Sequence, residues 1–462
     1  MTMEYLFQKR AEVLTRADVV VCGGGTAGTF AAVAAAREGK KTVLIEKFGG
    51  LGGSVSMGLV TPTMATYIRL DGRLRDPQNS YLAAELGKRC TEAGAASVRG
   101  TQRYHDPLLM KGILEAMAQE AGVEILLYTT VLDAVKEGDT VKAVIVSDKE
   151  GIHAVEGKIF IDATGDGDLS VLAGAQYSHG NPKTGKNQPI SLRYTVSGVD
   201  MRAFASSVSD GSISLSDGRL AYSSCVLQDG KREVEQIMKR AKDAGDLTKE
   251  DLAYWQVFTL PNRPDTLACN CPEIFDYVDG TKAHDLTNAQ LYGKQAIQRH
   301  LAFYKKYFNG FENAYISEIA PMVGIRESRE IVTDYVLTLP EAADFAKFED
   351  CVAQTNYPID VHGFGDEYTD EHASKKESDK PWFEVPYRCL VVRGIDNLLV
   401  AGRPIGGDFF IEAAIRIIPT CRATGEAAGL AASLALDEGI SVHALDGRRV
   451  HKAMVDRGAD FI

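Results

Sequence analysis

The sequence predicts an α/β protein in which a domain built on a parallel sheet is interrupted by a second domain. Three observations support this prediction. A buried-type strand leads into a glycine turn and an alanine-rich helix over residues 18–38, and two later strands, in 159–165 and 397–402, also end in small residues. The chain between these strands changes in character from about Ser178 onward. Since both ends of the chain share one pattern, we expect the first domain to be discontinuous.

The first element is a strand–turn–helix unit that suits a dinucleotide. Val19–Val21 have the continuous apolar character of a strand that is covered on both faces. Gly23 permits a tight turn, Gly25 lets the backbone approach a pyrophosphate, and Gly28 lets helix and strand pack closely. The predicted helix, Phe30 to Glu38, follows this turn, and a helix start there would direct N–H groups and a positive dipole end at the phosphates.

A second strand, Thr42–Glu46, ends in an acid. Glu46 is placed to accept hydrogen bonds from the ribose hydroxyls of an adenine nucleotide. The following segment, Gly49–Ser54, is too rich in glycine for the interior of an element. It indicates either a backbone that passes close to a flat or phosphorylated ligand or a surface loop. Together the strands, the turn and the acid predict a Rossmann-like dinucleotide site.

The rest of the first domain is predicted to hold a helix and a small meander. Asp106 is a candidate N-cap and Pro107 suits the first helical position. An antiparallel meander that returns to the main sheet is expected from four strand-like runs, Glu124–Tyr128, Val131–Val135, Val141–Val146 and Lys158–Ile161. The return strand closes on Ala163–Gly165, at an edge where open α/β sheets bind ligands.

The middle of the chain is predicted to be an inserted α+β domain. It combines helical patterns, Glu233–Ala244 and Asn288–Tyr307, with irregular stretches, and the charged stretch 365–380 is expected to be a solvated loop. The last quarter returns to the first pattern, with the buried strand Asn397–Arg403 and an alanine-rich helix. The predicted domain bounds are 1–178 with 381–462 for the first domain and 179–380 for the second.

Composition and charge narrow the classes of function. The chain has 462 residues, 45% of them hydrophobic, and a net charge of −12, which argues against a nucleic-acid partner. Eight cysteines without a C-x-x-C pair argue against a zinc site, a cysteine-ligated cluster or a disulfide framework, so no metal is expected. The N-terminus lacks an apolar signal core and no apolar run would span a membrane, so we expect a cytoplasmic protein.

Taken together, these segments resemble two-domain FAD oxidoreductases of the glutathione-reductase type. They are still more similar to the FAD-dependent oxidoreductase family that is related to fumarate reductases and succinate dehydrogenases. The resemblance covers nearly the whole chain and is carried by Gly49–Ser54, Phe160–Asp168, Gln188–Arg193, Gly324–Glu330, Tyr357–His362 and Asn397–Gly429. It implies an FAD-binding Rossmann-like domain, made of a parallel sheet plus an antiparallel β-meander, with an inserted α+β substrate domain.

The resemblance also implies which residues contact FAD. Gly23, Gly25 and Gly28 would hold the pyrophosphate, Glu46 the ribose, and the Val131 backbone the adenine. The full implied set is Gly23, Gly25, Thr26, Ala27, Gly28, Glu46, Lys47, Gly52, Gly53, Ser54, Val131, Ala163, Thr164, Gly165, Gly402, Arg403, Asp408, Gly425, Glu426 and Ala427.

Two members of that set have particular implied roles. A helix that starts at Gly425–Ala427 would direct its N-terminal dipole at the flavin pyrimidine. Asp408 stands where the family pattern leads us to expect a small residue or histidine. Its carboxylate would either accept a hydrogen bond from the ribityl hydroxyls or face the substrate.

The candidate catalytic residues are His362, Arg326 and Arg193, because a flavin reaction needs a proton route and several arginines suit an anionic substrate. Structural interpretations stay open beside all three. Arg326, Glu327 and Arg329 would equally form a local ion-paired network that holds the domains together, and His362 would equally cap or pack. For Arg193, and for Arg388 before the last strand, the sequence favours a structural role over a catalytic one.

The predicted function is hydride transfer between FAD and a small organic molecule. The alternatives are an NAD-dependent dehydrogenase and a flavin-carrying electron-transfer subunit of a larger complex. A homo-oligomer is compatible with the sequence as well.

Overall fold

The computed structural model of the chain describes residues 6, 8–99, 102–216, 218–220, 224–225, 230–363 and 378–462. Most of the charged stretch 365–380, which was predicted to be a solvated loop, lies outside these residues.

The helices account for the long periodic segments of the sequence. In chain order they are α1 (Thr26–Arg37), α2 (Tyr81–Glu92), α3 (Pro107–Glu120), α4 (Asp168–Leu172), α5 (Met201–Ala205), α6 (Glu233–Asp243), α7 (Ala283–Tyr307), α8 (Leu339–Ala343), α9 (Phe409–Ile415), α10 (Ile418–Glu438) and α11 (Gly447–Asp456). The predicted N-cap of α3 is confirmed, since the Asp106 carboxylate accepts hydrogen bonds from the N–H groups of Leu108 and Leu109.

The strands fall into two groups along the chain. Up to residue 162 they are β1 (Glu12–Arg16), β2 (Val19–Cys22), β3 (Thr42–Ile45), β4 (Pro62–Thr63), β5 (Ile68–Leu70), β6 (Arg73–Arg75), β7 (Ala96–Arg99), β8 (Gln102–His105), β9 (Glu124–Leu126), β10 (Thr130–Glu137), β11 (Thr140–Ser147), β12 (Ile152–Glu156) and β13 (Ile159–Asp162).

The later strands are β14 (Tyr177–His179), β15 (Ile190–Ser191), β16 (Tyr194–Ser197), β17 (Leu215–Ser216), β18 (Arg219–Leu220), β19 (Ser224–Cys225), β20 (Trp255–Leu260), β21 (Arg263–Cys269), β22 (Glu273–Ile274), β23 (Tyr315–Ile319), β24 (Arg329–Ile331), β25 (Cys351–Thr355), β26 (Phe383–Pro386) and β27 (Leu398–Val400).

A parallel sheet forms the centre of the first core. Its order is β27-β13-β2-β3-β9, and every neighbouring pair is parallel. Val19, Val20 and Val21 are fully buried in β2, as their continuous apolar run predicted. The chain begins this sheet near residue 19 and completes it with β27, so the prediction of a sheet shared by both ends of the chain is confirmed.

The meander differs from its prediction because it lacks the first predicted run and contains β12 and β1, which were not predicted. β10 and β11 are antiparallel as expected, β12 pairs antiparallel with β11, and β1 adds to β12 in parallel. The first predicted run, Glu124–Tyr128, does not belong to the meander, because β9 pairs in parallel with β3 at the edge of the main sheet. The helix α3 precedes β9, and a helical crossover returns the chain in the parallel direction. An apolar run in the sequence does not indicate which strand it will pair with.

The helices α1 and α10 pack side by side against the parallel sheet, and small residues let them approach closely. A Cβ on Gly425 would lie 2.2 Å from the carbonyl oxygen of Ala27, and one on Gly429 would lie 2.3 Å from that of Ala31. These distances are far below van der Waals contact. The alanine- and glycine-rich composition of both helices is therefore required by their contact.

A second hydrophobic core is built around the antiparallel sheet β19-β20-β21-β16-β23 and the long helix α7. Its buried residues lie between Ile190 and Val323, with Leu59 added from the first part of the chain. Ile331 and Val352 already belong to the first core. The exact domain bounds stay a prediction, but the buried side chains show that the chain rejoins the first core well before residue 381.

In the part of the chain that the structure describes, no helix combines the length and the apolar character needed to cross a membrane.

Candidate cofactor and substrate site

The three glycine-containing segments of the prediction meet at the carboxyl edge of the parallel sheet. β2, β13 and β27 are in register there, with Cys22 opposite Asp162 and Asp162 opposite Val400. Gly23 has φ +99°, and a Cβ on it would lie 2.3 Å from the carbonyl oxygen of Ala163. Only glycine fits this crossing, so the tight turn expected at Gly23 is present.

The turn between β2 and α1 is closely packed at Gly28 and open at Gly25. A Cβ on Gly28 would lie 1.8 Å from the carbonyl oxygen of Gly23, which explains why helix and strand need glycine there. A Cβ on Gly25 would meet nothing closer than the Gly53 Cα at 4.0 Å. Gly25 is the N-cap of α1 and gives it no side-chain cap, so the first N–H groups of the helix, from Thr26 and Ala27 onward, face that opening.

The second glycine-rich segment lies directly against this turn. The Gly52 N–H donates to the Gly24 carbonyl at 2.8 Å, and the Thr26 hydroxyl donates to the Gly52 carbonyl at 3.1 Å. A Cβ on Gly53 would lie 2.9 Å from the Cα of Gly25, and Ser54 is exposed. The interpretation as backbone packed closely at the ligand site is therefore favoured over a surface loop.

Glu46 braces the turn from the neighbouring strand. Its carboxylate accepts hydrogen bonds from the N–H groups of Gly24, at 2.7 Å, and Phe48, at 2.8 Å, and burial raises its pKa. The N–H of Thr129 donates to the Glu46 carbonyl, which brings the start of β10, with half-buried Val131, to the same end of the site. Lys47 is exposed beside them. The roles of these residues toward ribose and adenine stay predictions.

The far side of the site is closed by an ion-paired group after β13 and β27. Arg403 donates to Asp166 at 2.5 Å and to the Ser328 hydroxyl at 2.9 Å, and the Ser328 hydroxyl donates to Asp166. Burial would raise the pKa of Asp166, but the charge of Arg403 and the two hydrogen bonds to Asp166 lower it. Gly165 lies under the guanidinium, since a Cβ there would be 3.5 Å from it. Thr164 hydrogen-bonds Asp162 through its hydroxyl at 2.7 Å.

One expectation at this end of the site is wrong. The helix does not start at Gly425–Ala427, because α10 begins at Ile418 and these residues lie in its interior. Gly425 packs on Ala27, and the Glu426 carboxylate caps α2 by accepting from the Ser80 hydroxyl at 2.5 Å and the Leu82 N–H at 3.0 Å. The glycine pattern suggested a helix start, whereas it serves the contact between two helices.

Asp408 also has a structural partner set. Its carboxylate is the N-cap of α9, accepting from the N–H groups of Phe410 and Ile411, and it accepts from the Leu339 N–H at 2.7 Å. Asp408 is thus an N-cap, and its role toward ribityl or substrate stays a prediction.

The helix α10 extends past the phosphate turn. The Thr424 hydroxyl accepts from the Gly402 N–H at 3.2 Å, which sets Thr424 level with the start of α1. α10 begins six residues earlier, at Ile418, so its first turns reach roughly 9 Å further at 1.5 Å per residue. Buried polar atoms without a hydrogen-bond partner among the described residues gather there, on Glu412, Arg416 and Thr420. An open phosphate turn with unsatisfied polar groups beyond it fits a long dinucleotide such as FAD.

A second polar group lies between the two cores, and we call it the seam cluster. Arg326 donates to the Pro189 carbonyl and to the Glu273 carboxylate, both at 2.7 Å. The Nδ1 of His362 lies 2.6 Å from the same Glu273 oxygen, and its Nε2 lies 3.3 Å from Asp360. The seam cluster comprises Arg193, Tyr254, Glu273, Arg326, Asp360, His362 and Arg416.

Arg193 is the member of the seam cluster without a fixed partner. Its guanidinium makes no hydrogen bond or ion pair with the described residues, although the side chain is half-buried. Burial and the nearby positive charges of Arg326 and Arg416 lower its pKa to about 10. It therefore stays charged at neutral pH and faces the seam with free N–H groups.

The structure joins the three candidate catalytic residues, His362, Arg326 and Arg193, in this one cluster. The alternative interpretation, a network of ion pairs and hydrogen bonds that holds segments together, applies to Glu327 and Arg329. Glu327 accepts from the Gly180 N–H and from Asn187, and Arg329 donates to Asp168 at 2.9 Å, so these two tie segments together. Arg326 also forms an ion pair, with Glu273, but the Glu273 oxygen that it contacts is shared with His362.

Sequence reasoning missed the other members of the cluster. Tyr254 hydrogen-bonds Gln256 and Asn270 and contacts the His362 ring edge-on at 5.4 Å. Arg416 donates to the Asp360 carbonyl at 2.9 Å. The four members that the sequence did not single out, Tyr254, Glu273, Asp360 and Arg416, come from four separate segments of the chain, and no spacing links these segments. Arg388 pairs with Asp350 outside the cluster.

Comparisons with known proteins were made for the whole chain. A family model described as FAD dependent oxidoreductase matches residues 18–454. Similar solved structures include a geranylgeranyl bacteriochlorophyll reductase-like protein from Thermoplasma acidophilum, with 14% identity, 96% of this chain and 84% of that chain covered, and a TM-score of 0.44.

Two further solved structures show the same level of likeness. The p-nitrophenol 4-monooxygenase of Pseudomonas putida DLL-E4 has 11% identity, with 96% of this chain and 87% of that chain covered and a TM-score of 0.48. The L-proline dehydrogenase of P. horikoshii has 13% identity, with 96% and 99% covered and a TM-score of 0.43. Likenesses at this level do not identify a reaction or a substrate. The match of the family model over residues 18–454 does identify the family, and this chain belongs to the FAD-dependent oxidoreductases.

Proposed function

We propose that this FAD-dependent oxidoreductase transfers a hydride between the flavin and a small organic anion that binds in the seam cluster. The single observation that carries the proposal is the unpaired guanidinium of Arg193. FAD, as the cofactor of the family, supplies the hydride acceptor or donor when it is bound. Because FAD can accept or donate the hydride, the proposal does not need the alternative of a dissociable NAD.

The charge of the seam supports an anionic substrate. Three guanidinium groups, of Arg193, Arg326 and Arg416, border it, and two carboxylates, of Glu273 and Asp360, are already paired with Arg326, Arg416 and His362. Arg193 is left without a counter-ion. A carboxylate is the ligand that a free guanidinium binds best, through two parallel hydrogen bonds.

The same cluster offers a route for the proton that accompanies the hydride. His362 stands between Glu273 at 2.6 Å and Asp360 at 3.3 Å, and both carboxylates have lowered pKa values because of Arg326, Arg416 and His362. An imidazole held between two carboxylates is fixed in orientation. In this proposal His362 exchanges the proton, Arg326 holds Glu273, and Arg193 binds the substrate anion.

The test is a titration of the oxidised holoenzyme with small carboxylic acids and with the corresponding amides, followed by the flavin absorbance. We expect the acids to perturb the spectrum at concentrations about tenfold or more below those of the amides, since the amide lacks the charge that Arg193 binds. Sodium chloride at equal ionic strength is the control. Equal effects of acids and amides would contradict the proposal. Acids that perturb the spectrum are then screened for anaerobic bleaching of the flavin, which tests the hydride transfer itself.

A further inference from the structure

Glu412 is a buried carboxyl group without a hydrogen-bond partner. Its side chain lies in α9 with 1% of the residue exposed, and neither carboxyl oxygen has a partner among the described residues. Leaving a buried carboxyl group unsatisfied is costly, so native proteins almost always supply it with a protein, water or ligand partner. The Nε of Arg416 and the hydroxyl of Thr420 are unsatisfied in the same way.

These three side chains surround one junction in the chain. α9 ends at Ile415 and α10 begins at Ile418, so Glu412 and Arg416 lie on one side of the break and Thr420 in the first turn of the other. Thr420 is 3% exposed. The Arg416 N–H donates to the Glu412 carbonyl, but the two side chains do not bond to each other. Three unsatisfied polar side chains thus lie within one short stretch, residues 412–420, around this helix junction.

The junction lies beyond the open turn at Gly25. Thr424 is level with that turn through its bond to Gly402. The first residues of α10 lie roughly 9 Å further, past the start of α1. A dinucleotide whose pyrophosphate lies at Gly25 and which extends along α10 would bring its flavin end to this junction.

The charges around Glu412 favour its neutral form. Arg416 and Arg403 lie near it, but so do Glu330 and Glu327, and burial outweighs the two arginines and raises the pKa of Glu412 well above its ordinary value. Glu330 itself has a pKa raised to about 8, chiefly by burial and next by Glu327. A neutral carboxylic acid has one O–H donor and one carbonyl acceptor.

We propose that Glu412 is a positioning residue for the cofactor, and that its carboxylic acid hydrogen-bonds the flavin end of bound FAD together with Arg416 and Thr420. This inference rests on the family membership and not on the identity of the substrate, so it stands or falls separately from the proposed anion site.

The test compares Glu412→Leu with Glu412→Gln in the purified holoenzyme. Leucine removes both hydrogen-bonding groups and glutamine keeps a donor and an acceptor. We expect Glu412→Leu to bind FAD about threefold to tenfold more weakly, as judged by the fluorescence of released FAD on dilution, and to shift the flavin absorption bands. Glu412→Gln should stay within about twofold of the parent chain.

A matched control is Glu384→Gln. Glu384 is a buried glutamate whose carboxylate is fully used, accepting from the Phe348 N–H, Gln354 and Trp382. Its variant should unfold at a lower temperature without a change in FAD affinity. That result separates a loss of stability from a loss of cofactor contact.

Two outcomes would overturn the proposal. If Glu412→Leu keeps the FAD affinity and spectrum of the parent chain, the carboxyl group meets only buried water. If leucine and glutamine weaken FAD binding equally, the hydrogen bonds of a neutral acid are not what matters.

A second measurement applies even if the leucine variant does not fold. The infrared difference spectrum between oxidised and reduced holoenzyme should contain a carbonyl band of a protonated carboxylic acid that Glu412→Gln removes. A difference spectrum with the same band in both proteins would also overturn the proposal.

Discussion

The cofactor edge and the seam cluster are built in opposite ways. At the cofactor edge the backbone does most of the work, with Gly23, Gly28 and Gly53 packed so closely that a Cβ on any of them would lie less than 3 Å from another residue. In the seam cluster long side chains meet across distant segments, as Arg326 meets Glu273 and His362 meets the same oxygen. A site made of backbone tolerates almost no added atom, whereas a site made of side chains loses one interaction at a time.

The largest effect is expected at the cofactor edge, for Gly28→Ala. The new Cβ would lie 1.8 Å from the Gly23 carbonyl oxygen, so the helix or the strand must move and the phosphate turn with it. We expect FAD binding to weaken about tenfold to hundredfold, since such overpacking costs roughly 1–3 kcal/mol or more. The measurement is the flavin-to-protein ratio together with the FAD dissociation constant.

The control for that variant is Gly87→Ala. Gly87 lies exposed in α2, and a Cβ there would meet no atom within 4 Å. A Gly28→Ala protein that retained its full FAD content would remove the contrast between the two regions.

The next effect belongs to the seam cluster. Arg193→Gln removes the free guanidinium, keeps a polar amide and shortens the side chain by two atoms. For the carboxylic acid that perturbs the flavin spectrum most strongly, we expect the dissociation constant to rise about tenfold to hundredfold, because hydrogen bonds to charged groups contribute roughly 1.5–3 kcal/mol. FAD affinity should not change, which makes the two regions separable in one protein.

Arg202→Gln is the matched control, since Arg202 is exposed on α5 and carries the same charge. Equal weakening of acid binding in both variants would mean that overall charge, and not the seam, attracts the substrate.

A smaller effect, visible only against pH, is expected for Glu426→Gln. Burial raises the pKa of Glu426 from its ordinary value of 4.5 to about 7. The folded chain therefore holds this proton more tightly than the unfolded chain, so the stability it contributes is complete below about 4.5 and is lost as the pH rises to about 7.

Glutamine does not titrate, so the unfolding temperature of Glu426→Gln should fall less steeply than that of the parent chain across this range of pH. Thermal unfolding of both holoenzymes in matched buffers measures the difference. Parallel curves would show that the group which caps α2 is ionised in the folded state.

The smallest effect is expected for Gly112→Ala, a variant outside both regions that should change the free energy of unfolding only. Gly112 lies exposed in α3, and a Cβ on it would meet nothing within 4 Å. Gly112→Ala should raise the free energy of unfolding by roughly 0.5–1 kcal/mol, because alanine costs less conformational entropy in a helix. Denaturant unfolding measures this, and a loss of stability would mean that glycine is needed in α3 for a reason its surroundings do not show.

The sequence predicted the cofactor edge well because its requirements are local. The turn at Gly23 and the close packing at Gly28 lie within one strand–helix–strand unit, and backbone geometry of that kind needs particular residue types at fixed spacing. The sequence assigned Glu46 to the ribose and did not predict that its carboxylate accepts from the Gly24 N–H. The return strands β13 and β27 were found for the same reason, since each ends in small residues at the same edge.

The errors occurred where a local pattern has more than one use. Gly425 and Gly429 resemble a helix start but serve the contact of α10 with α1, and Glu426 reaches Ser80, far away in the chain. The strand β9 has an apolar sequence that does not state whether it joins the meander or the main sheet. In each case the partner decides the role, and the partner is absent from the local sequence.

By itself, then, the sequence determined the α/β class, the phosphate turn and the FAD family that its motifs resemble. These depend on which residues the backbone can accept at neighbouring positions. Only the tertiary structure decided that Arg193, Arg326 and His362 share one seam with Tyr254 and Arg416, and that Glu412 is buried without a partner. Such groups are assembled by packing across the two cores, and the free energy of that packing depends on contacts that no spacing along the chain records.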